Sequence, residues 1–297
     1  MTSGSSMEKA VRILSWWAAL TVPAVLCTLM GFLLWRGVPG WSTNLFFGDT
    51  APLDAMLKGA PVFDGLWPAC LGTLALVALA AGMAIPLGIA SGVYLAEYAS
   101  GRSRQIFSFC VDLLAGIPSI LMGLFGFALI LLLRKTVAPA ANTGLLLSAL
   151  CLGLLVLPYL ISATRLSIEA LPHELRLAGA CLGLKHGQIV GRILLPAAMH
   201  GIFSGVILAV GRAAEDTAVI LLTGVVANAG APASLTSKYE ALPFHIYYLA
   251  AEHQSPAQLT QAFAAALVLL CLTGLMFAAA RLLHVRLENQ WKTGTTK

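Results

Sequence analysis

The sequence predicts an all-α integral membrane protein with six transmembrane helices and a polar helical loop between the fourth and the fifth. Three observations carry that prediction. The chain of 297 residues is 59% hydrophobic and only 10% charged, more apolar surface than one soluble domain of this length can bury, so a bilayer must be part of its solvent. The apolar residues fall into six runs, each long enough to cross a membrane, divided by short polar links. Between the fourth and fifth runs lies a half-apolar, charged stretch built around a glycine, which cannot be a span.

Taken in order, residues 1–12 form a polar tail carrying Lys9 and Arg12, and an apolar run over about 13–35 follows. A signal-peptide core has about 7–15 residues and a small-residue cleavage site; this run is longer and lacks the site, so it predicts an uncleaved first span. Residues 36–66 hold Gly37, Pro39, Gly40, Asp49, Pro52, Asp54 and Asp64 and predict a long loop. The second span covers about 67–95, with Pro86 and the pair Gly88 and Gly92, a small-xxx-small spacing that admits a neighbouring helix. After a polar link from Glu97 to Arg104, the third span covers about 107–133. It contains Gly116, Pro118, Ser119, Gly123 and Gly126, and predicts one bent helix whose kink and packing these residues set.

A brief turn over 134–142 leads to the fourth span, about 143–166, and the polar loop occupies 167–195. The fifth span covers about 196–226, with Gly201 and Gly205 placed for close packing against a partner. A second long loop, 227–256, holds aromatics suited to a membrane interface together with His245 and His253, read as ordinary interface residues rather than metal ligands. The sixth span covers about 257–283, and 284–297 is a basic tail.

Charge fixes the orientation. Lys9, Arg12, Arg102, Arg104, Arg165, Arg176, Lys185, Arg192, Arg281, Arg286, Lys292 and Lys297 fall on one side, and only Arg36, Lys58, Arg134, Lys135 and Lys238 on the other. By the positive-inside rule the first side is cytoplasmic, so both termini and the polar loop face the cytoplasm. The formal net charge of +5 is spread over short loops rather than gathered in a stripe, which excludes nucleic acid as a partner. The six cysteines, Cys27, Cys70, Cys110, Cys151, Cys181 and Cys271, stand singly without metal spacing and read as small buried hydrophobes. No half of the chain repeats the other, which weighs against inverted-repeat carriers.

Two stretches carry the chemistry. In the polar loop, Pro172 and Glu174 mark a helix start, Ala178, Cys181 and Leu182 share one side of that helix, Gly183 ends it, and 188–194 begins a second helix. A compact, half-apolar element outside the membrane either packs on itself or calls for a protein partner. In the fifth span, Arg212, Glu215 and Asp216 would together cost roughly 8–10 kcal/mol if left unpaired at the membrane centre. Spacings of three and four put both carboxylates on the face of Arg212, as an ion pair or as a polar pathway.

The loop reads E-L-R-L-A-G-A-C-L-G from Glu174 to Gly183, and Ile193 to Pro196 close it after nine residues. That spacing resembles the EAA loop of ABC importer permeases. With A-G-I-P-S-I-L-M-G-L-F-G at 115–126 and G-R-A-A-E-D-T-A-V-I-L-L-T-G at 211–224, the chain is similar to permease subunits of phosphate-type ABC importers, the PstA kind. The resemblance implies a type I importer permease fold in a bacterial inner membrane. It implies a second permease subunit of the PstC type, two ATP-binding subunits that bind the ATP, and an extracytoplasmic phosphate-binding protein. It assigns ATPase coupling to Glu174, Ala178, Gly179, Gly183, Ile193 and Pro196, and a solute pathway to Arg212, Glu215, Asp216 and Thr217. Leu177 stands where the family's loop has its glutamate, Gly179 where it has its second alanine, and Glu215-Asp216 where it has Gly-Glu.

The chain holds no G-x-x-x-x-G-K-[ST] phosphate loop, so it is not itself the ATPase, and it needs no cofactor of its own. The rival readings are a permease for sulfate, molybdate or tungstate and a proton-coupled carrier using Glu215 and Asp216 as a relay. A membrane enzyme has no catalytic or metal-binding cluster to support it.

Overall fold

The computed structural model describes residues 3–57, 62 and 65–294. Lys58, Asp64 and Lys297, which enter the loop and charge readings above, lie outside the described residues. The helices in order are α1 (Ser3–Gly37), α2 (Thr43–Phe47), α3 (Pro52–Leu57), α4 (Trp67–Val93), α5 (Gly101–Ala115), α6 (Ser119–Thr136), α7 (Leu145–Glu169), α8 (His173–Cys181), α9 (His186–Ile189), α10 (Leu195–Glu215), α11 (Ala218–Thr223), α12 (Leu242–Glu252) and α13 (Pro256–Gly294). Among the described residues, six stretches are long and apolar enough to cross a membrane: Met7–Gly40, Trp67–Tyr98, Ser119–Thr136, Leu145–Glu169, His186–Glu215 and Pro256–Leu282. The long loops expected over 36–66 and 227–256 carry α2, α3 and α12.

α7 is the axis of the bundle. Of its most apolar stretch 67% is buried, against 0% for α1, which packs along α13 at the edge. Small residues bring the neighbours of α7 close. Gly88 and Gly92 of α4 lie against Leu160 and Thr164, and a Cβ at Gly92 would stand 2.5 Å from that of Thr164. Gly201 and Gly205 of α10 lie against Ser167 and Ala163, so they pack inside the chain and not against a partner as expected. The cysteine reading also changes: Cys70 and Cys151 are buried, whereas Cys27, Cys110, Cys181 and Cys271 are exposed. A bilayer accepts an apolar side chain on the outer face of a helix as readily as the core does, so hydrophobicity gives no inward direction.

The stretch expected as the third span, about 107–133, is two helices, not one bent helix. α5 ends at Gly116, whose N–H is taken by the Asp112 and Leu113 carbonyls, both at 3.1 Å, and α6 begins after Pro118. Proline has no N–H to continue the ladder and pushes the residue before it, Ile117, out of the helical region. Ile117 lines a cleft with Leu154 of α7, which places the break about halfway along the bundle. Gly123 and Gly126, the packing residues of this crossing, meet the Ala218 and Val219 backbone and the Cys151 and Thr223 side chains.

At the end of the bundle opposite α8, residues 224–241 fold back over the start of α7. The Gly144 N–H donates to the Thr223 carbonyl at 2.9 Å, Leu145 to Ser237 at 3.1 Å and Val226 to Tyr239 at 3.0 Å. Gly72 of α4 lets the Glu240 carbonyl come so close that a Cβ has no room, and Thr73 accepts the Leu242 N–H at 2.9 Å. Burial pushes the Tyr239 phenol up, so this fully buried ring stays a neutral anchor for the segment.

Candidate functional site

The fifth crossing breaks where its charges lie. α10 ends at Glu215, Asp216 takes extended angles (φ −74°, ψ 119°), and α11 restarts the helix at Ala218. An Asp oxygen competes well for the free N–H groups of a first helical turn, and Asp216 Oδ1 accepts the Val219 N–H at 2.9 Å. Its other oxygen, Oδ2, lies 3.4 Å from Nη2 of Arg212. The carboxylate is buried, while the Arg212 side chain is 43% exposed. Of the two carboxylates expected on the face of Arg212, Asp216 pairs with it from the break, while Glu215, still within α10 and exposed like Arg212, has no ion-pair partner among the described residues. Thr217 is half-buried at the break.

The second break stands beside the first. Gly123, one turn after Ser119, touches the backbone of Ala218 and Val219, so the restarts of α6 and α11 are neighbours inside the bundle. The Pro118 carbonyl accepts from Leu121 at 3.0 Å and Met122 at 3.3 Å, and Ser119 is half-buried just after it. Below Arg212, the exposed residues of α10 recur every fourth position at His200, Ser204 and Leu208. Sequence reading missed His200 and Ser204 in this stripe; their spacing from Arg212 was the available signal. A cleft of about 540 Å³ between α4, α10 and α13, walled by Ile85, Phe203 and Met276 among others, is apolar throughout and offers an anion no partner.

The polar loop folds as a small platform. Pro172, placed just before α8, precedes its first residue, and Glu174 is exposed in the first turn. Gly183 closes the helix at φ +73°, a left-handed angle that glycine adopts without strain. Gly179 is buried against Ile189 and Ile193, where a Cβ would stand 2.9 Å from each side chain, so glycine in place of alanine lets α8 settle closer on α9. The opposite side of α8 is left open: Leu177 and Leu182 are 54% and 76% exposed, beside exposed Ala178 and Cys181. The second loop helix is the foot of the fifth crossing itself. α9 starts where the Gln188 amide oxygen accepts the Lys185 N–H at 2.8 Å, and it runs into α10 through one wide π turn, Val190–Leu194. In that turn the Leu195 N–H reaches back five residues to Val190, giving the Pro196 ring the room an α turn would deny it.

Glu97 is the residue of this region that sequence reading passed over. It sits in a second π turn, Tyr94–Tyr98, at the end of α4, where the helix dipole disfavours a carboxylate; that mismatch was the signal for a cationic partner. Arg176 of α8 supplies it, with Nη2 at 2.6 Å and Nε at 3.1 Å from Oε1 of Glu97. The same guanidinium donates to the carbonyls of Ile168 at 3.1 Å and Leu171 at 3.2 Å, at and just beyond the end of α7. A ring nitrogen of His186 in α9 stands 3.2 Å from the Glu97 carbonyl, and Tyr98 meets the His186 ring edge-on. Nearby, Arg104 and Arg165 share Glu169, which ties α5 to α7. In the far segment, His245 pairs with buried Glu240 at 2.7 Å, and the His253 ring nitrogen donates to the Ala250 carbonyl at 3.0 Å. No group of three or more potential metal ligands occurs among the described residues.

With this geometry in place, residues 84–289 match the family described as binding-protein-dependent transport system inner membrane component. The chain is 33% identical over 228 residues to the phosphate transport system permease protein PstA of Haemophilus influenzae, covering 76% of each. It is 39% identical over 162 residues to PstA 1 of Mycobacterium tuberculosis, covering 53% of this chain, and it spans about half (50%) of that relative's length. With PstA 2 of Mycobacterium bovis it shares 28% over 284 residues, 93% of this chain and 89% of that one. Among solved structures, the methionine ABC transporter MetNI in an inward-facing form superposes with a TM-score of 0.53, over 82% of this chain and 99% of that one. At 19% identity this is a likeness of fold alone. Six crossings, a platform between the fourth and fifth, and a family match over residues 84–289 agree: the chain belongs to the binding-protein-dependent transport system inner membrane component family.

Proposed function

We propose that this chain is the membrane permease subunit of an ATP-driven, binding-protein-dependent importer that moves inorganic phosphate into the cytoplasm. The observation that carries the reading is Arg212: a guanidinium at the helix break of the fifth crossing, paired on one side and open on the other. Arginine keeps its charge in any ordinary site, and its planar fork suits a tetrahedral oxyanion. The similarity to phosphate transport system permeases supports phosphate as that anion.

Asp216 fits the same reading. Phosphate near neutral pH carries at least one proton, and a carboxylate can accept a hydrogen bond from that P–OH, whereas sulfate has no proton to offer. Asp216 therefore balances Arg212 between turnovers and acts as a weak filter against fully ionised anions, with Thr217 and Ser119 lining the route beside it. The exposed stripe of α10 faces a second permease subunit, and the route runs between the two. A lipid contact there would cost about 2.5–3.5 kcal/mol for each charge.

The open apolar side of α8 docks one of two ATP-binding subunits, which hold the ATP, and an extracytoplasmic phosphate-binding protein delivers the solute. α8 and both termini lie in the cytoplasm of a bacterial cell, by the distribution of basic residues. A cysteine at Asp49 is expected to react with an impermeant thiol reagent added outside, and one at Lys185 to be protected; the reverse labelling would invert the topology. The reading as a whole is tested by Arg212→Gln, which keeps the reach of the side chain and removes its charge. Uptake of radiolabelled phosphate is expected to fall steeply while the complex still assembles, and unimpaired uptake would leave the ion pair as a structural one.

A further inference from the structure

We propose that Glu97 is a positioning residue that carries the motion of α8 into the helices lining the solute route; the proposal rests on the importer reading above. α8 is a helix of nine residues whose apolar outer side is open, so whatever docks there pulls on a small element. What fastens α8 to the membrane part decides where that pull goes.

The fastening is a closed polar knot. Glu97 is nearly sequestered, with its side chain 5% exposed, and its Oε1 holds two nitrogens of Arg176. Arg176 also donates to the carbonyl of Ile168, which accepts the Leu171 N–H as well, and to the carbonyl of Leu171 just beyond the end of α7, so it holds the turn that closes the helix. The Glu97 carbonyl meets His186, the first residue of α9, and α9 continues as one run into α10, which ends beside Arg212. The feet of the second, fourth and fifth crossings thus meet around one residue, Glu97, whose carboxylate holds Arg176 and whose main-chain carbonyl meets His186. The knot is flanked by two π turns, Tyr94–Tyr98 and Val190–Leu194, where the regular ladder is locally relaxed and a crossing can shift against its foot. Gly179 against Ile189 and Ile193 adds packing between α8 and α9, but packing of flexible side-chain ends does not fix direction as a charged, forked contact does.

A displacement of α8 therefore reaches α4 through Glu97 and α10 through His186. Without the charge on Glu97, α8 can still present its docking side while sliding against the crossings.

The test uses the full-length chain purified with its own transporter subunits in proteoliposomes, with binding protein and radiolabelled inorganic phosphate. Glu97→Gln keeps the shape and an acceptor oxygen but removes the charge. Its complex is expected to retain the ATP-binding subunits in the wild-type proportion, while phosphate moved per ATP hydrolysed falls about five- to hundredfold, the range of a typical coupling between sites. ATP turnover is also expected to lose its response to the binding protein. A merely structural role would lower the amount of complex and leave the ratio unchanged, and an unchanged ratio overturns the proposal.

Arg176→Lys provides a second reading, since it keeps a cation for Glu97 and gives up the fork that reaches the α7 carbonyls. The same fall in the ratio is expected. An unchanged ratio there, or failure of both variants to assemble, overturns the proposal too. A wild-type complex that carries no ATP-binding subunit or moves no phosphate removes the importer reading itself, a result separate from any change between variants.

Discussion

Two clusters of charge in this bundle are built from the same side chains and end in opposite states. At the foot, Arg176 meets a carboxylate and two main-chain carbonyls, and the carboxylate is sequestered. Halfway along, Arg212 has one carboxylate oxygen at 3.4 Å, and the arginine side chain is 43% exposed. A guanidinium carries five N–H donors, so the first is close to satisfied inside its own chain and the second is not. A closed cluster holds parts together; an open one at membrane depth has to be completed by water, a partner or a passing anion.

The sharpest way to break this contrast is Arg212→Gln. Loss of a charge-assisted contact is worth about 1.5–3 kcal/mol, so phosphate uptake is expected to fall at least roughly ten- to hundredfold with assembly intact. The next effect in size belongs to the foot. Gly183 sits at φ +73° with open space where a side chain would begin, so Gly183→Val strains only the backbone. The cost of about 1–2 kcal/mol is expected to reduce cross-linking of α8 to an ATP-binding subunit roughly five- to thirtyfold, while Gly183→Asn, which tolerates that angle, stays near wild type.

Asp216→Asn comes third. Asparagine caps a helix as well as aspartate does, so α11 should keep its start and only the partner of Arg212 is lost. With one member half-exposed, the pair is worth at most about 1 kcal/mol, so phosphate uptake is expected to slow up to about fivefold, with poorer rejection of sulfate in a binding-protein-independent variant. Glu215→Gln is the smallest change, within about 0.5 kcal/mol and so about twofold in uptake, because that side chain holds no ion pair among the described residues. An equal effect of the two carboxylates would erase the distinction the helix break makes between them.

Much of the candidate site was legible from residues alone. Arg212 and Asp216 stood out because charges inside an apolar run are costly, and Gly183 because a turn between two helical patterns needs a left-handed residue. The breaks were less legible. Pro118 promised a bend, and the end of α5 at Gly116 turned it into a gap; Asp216 looked like one more charge on a helix face and proved to be the cap of a new helix. Either outcome obeys the same local rules, and the choice rests on what lies alongside.

By itself the sequence determined the membrane as solvent, the six crossings and the platform between the fourth and fifth, because hydropathy over a helix length reports the medium directly. Only the tertiary structure decided which faces meet. Gly201 and Gly205 turn toward α7, four of six cysteines point outward, and Glu97 finds Arg176 across 79 positions of chain. The physical reason is that lipid and protein interior are alike to an apolar side chain, so periodicity loses its sign in a bilayer. Direction comes instead from close contacts and polar pairs between segments far apart in the chain.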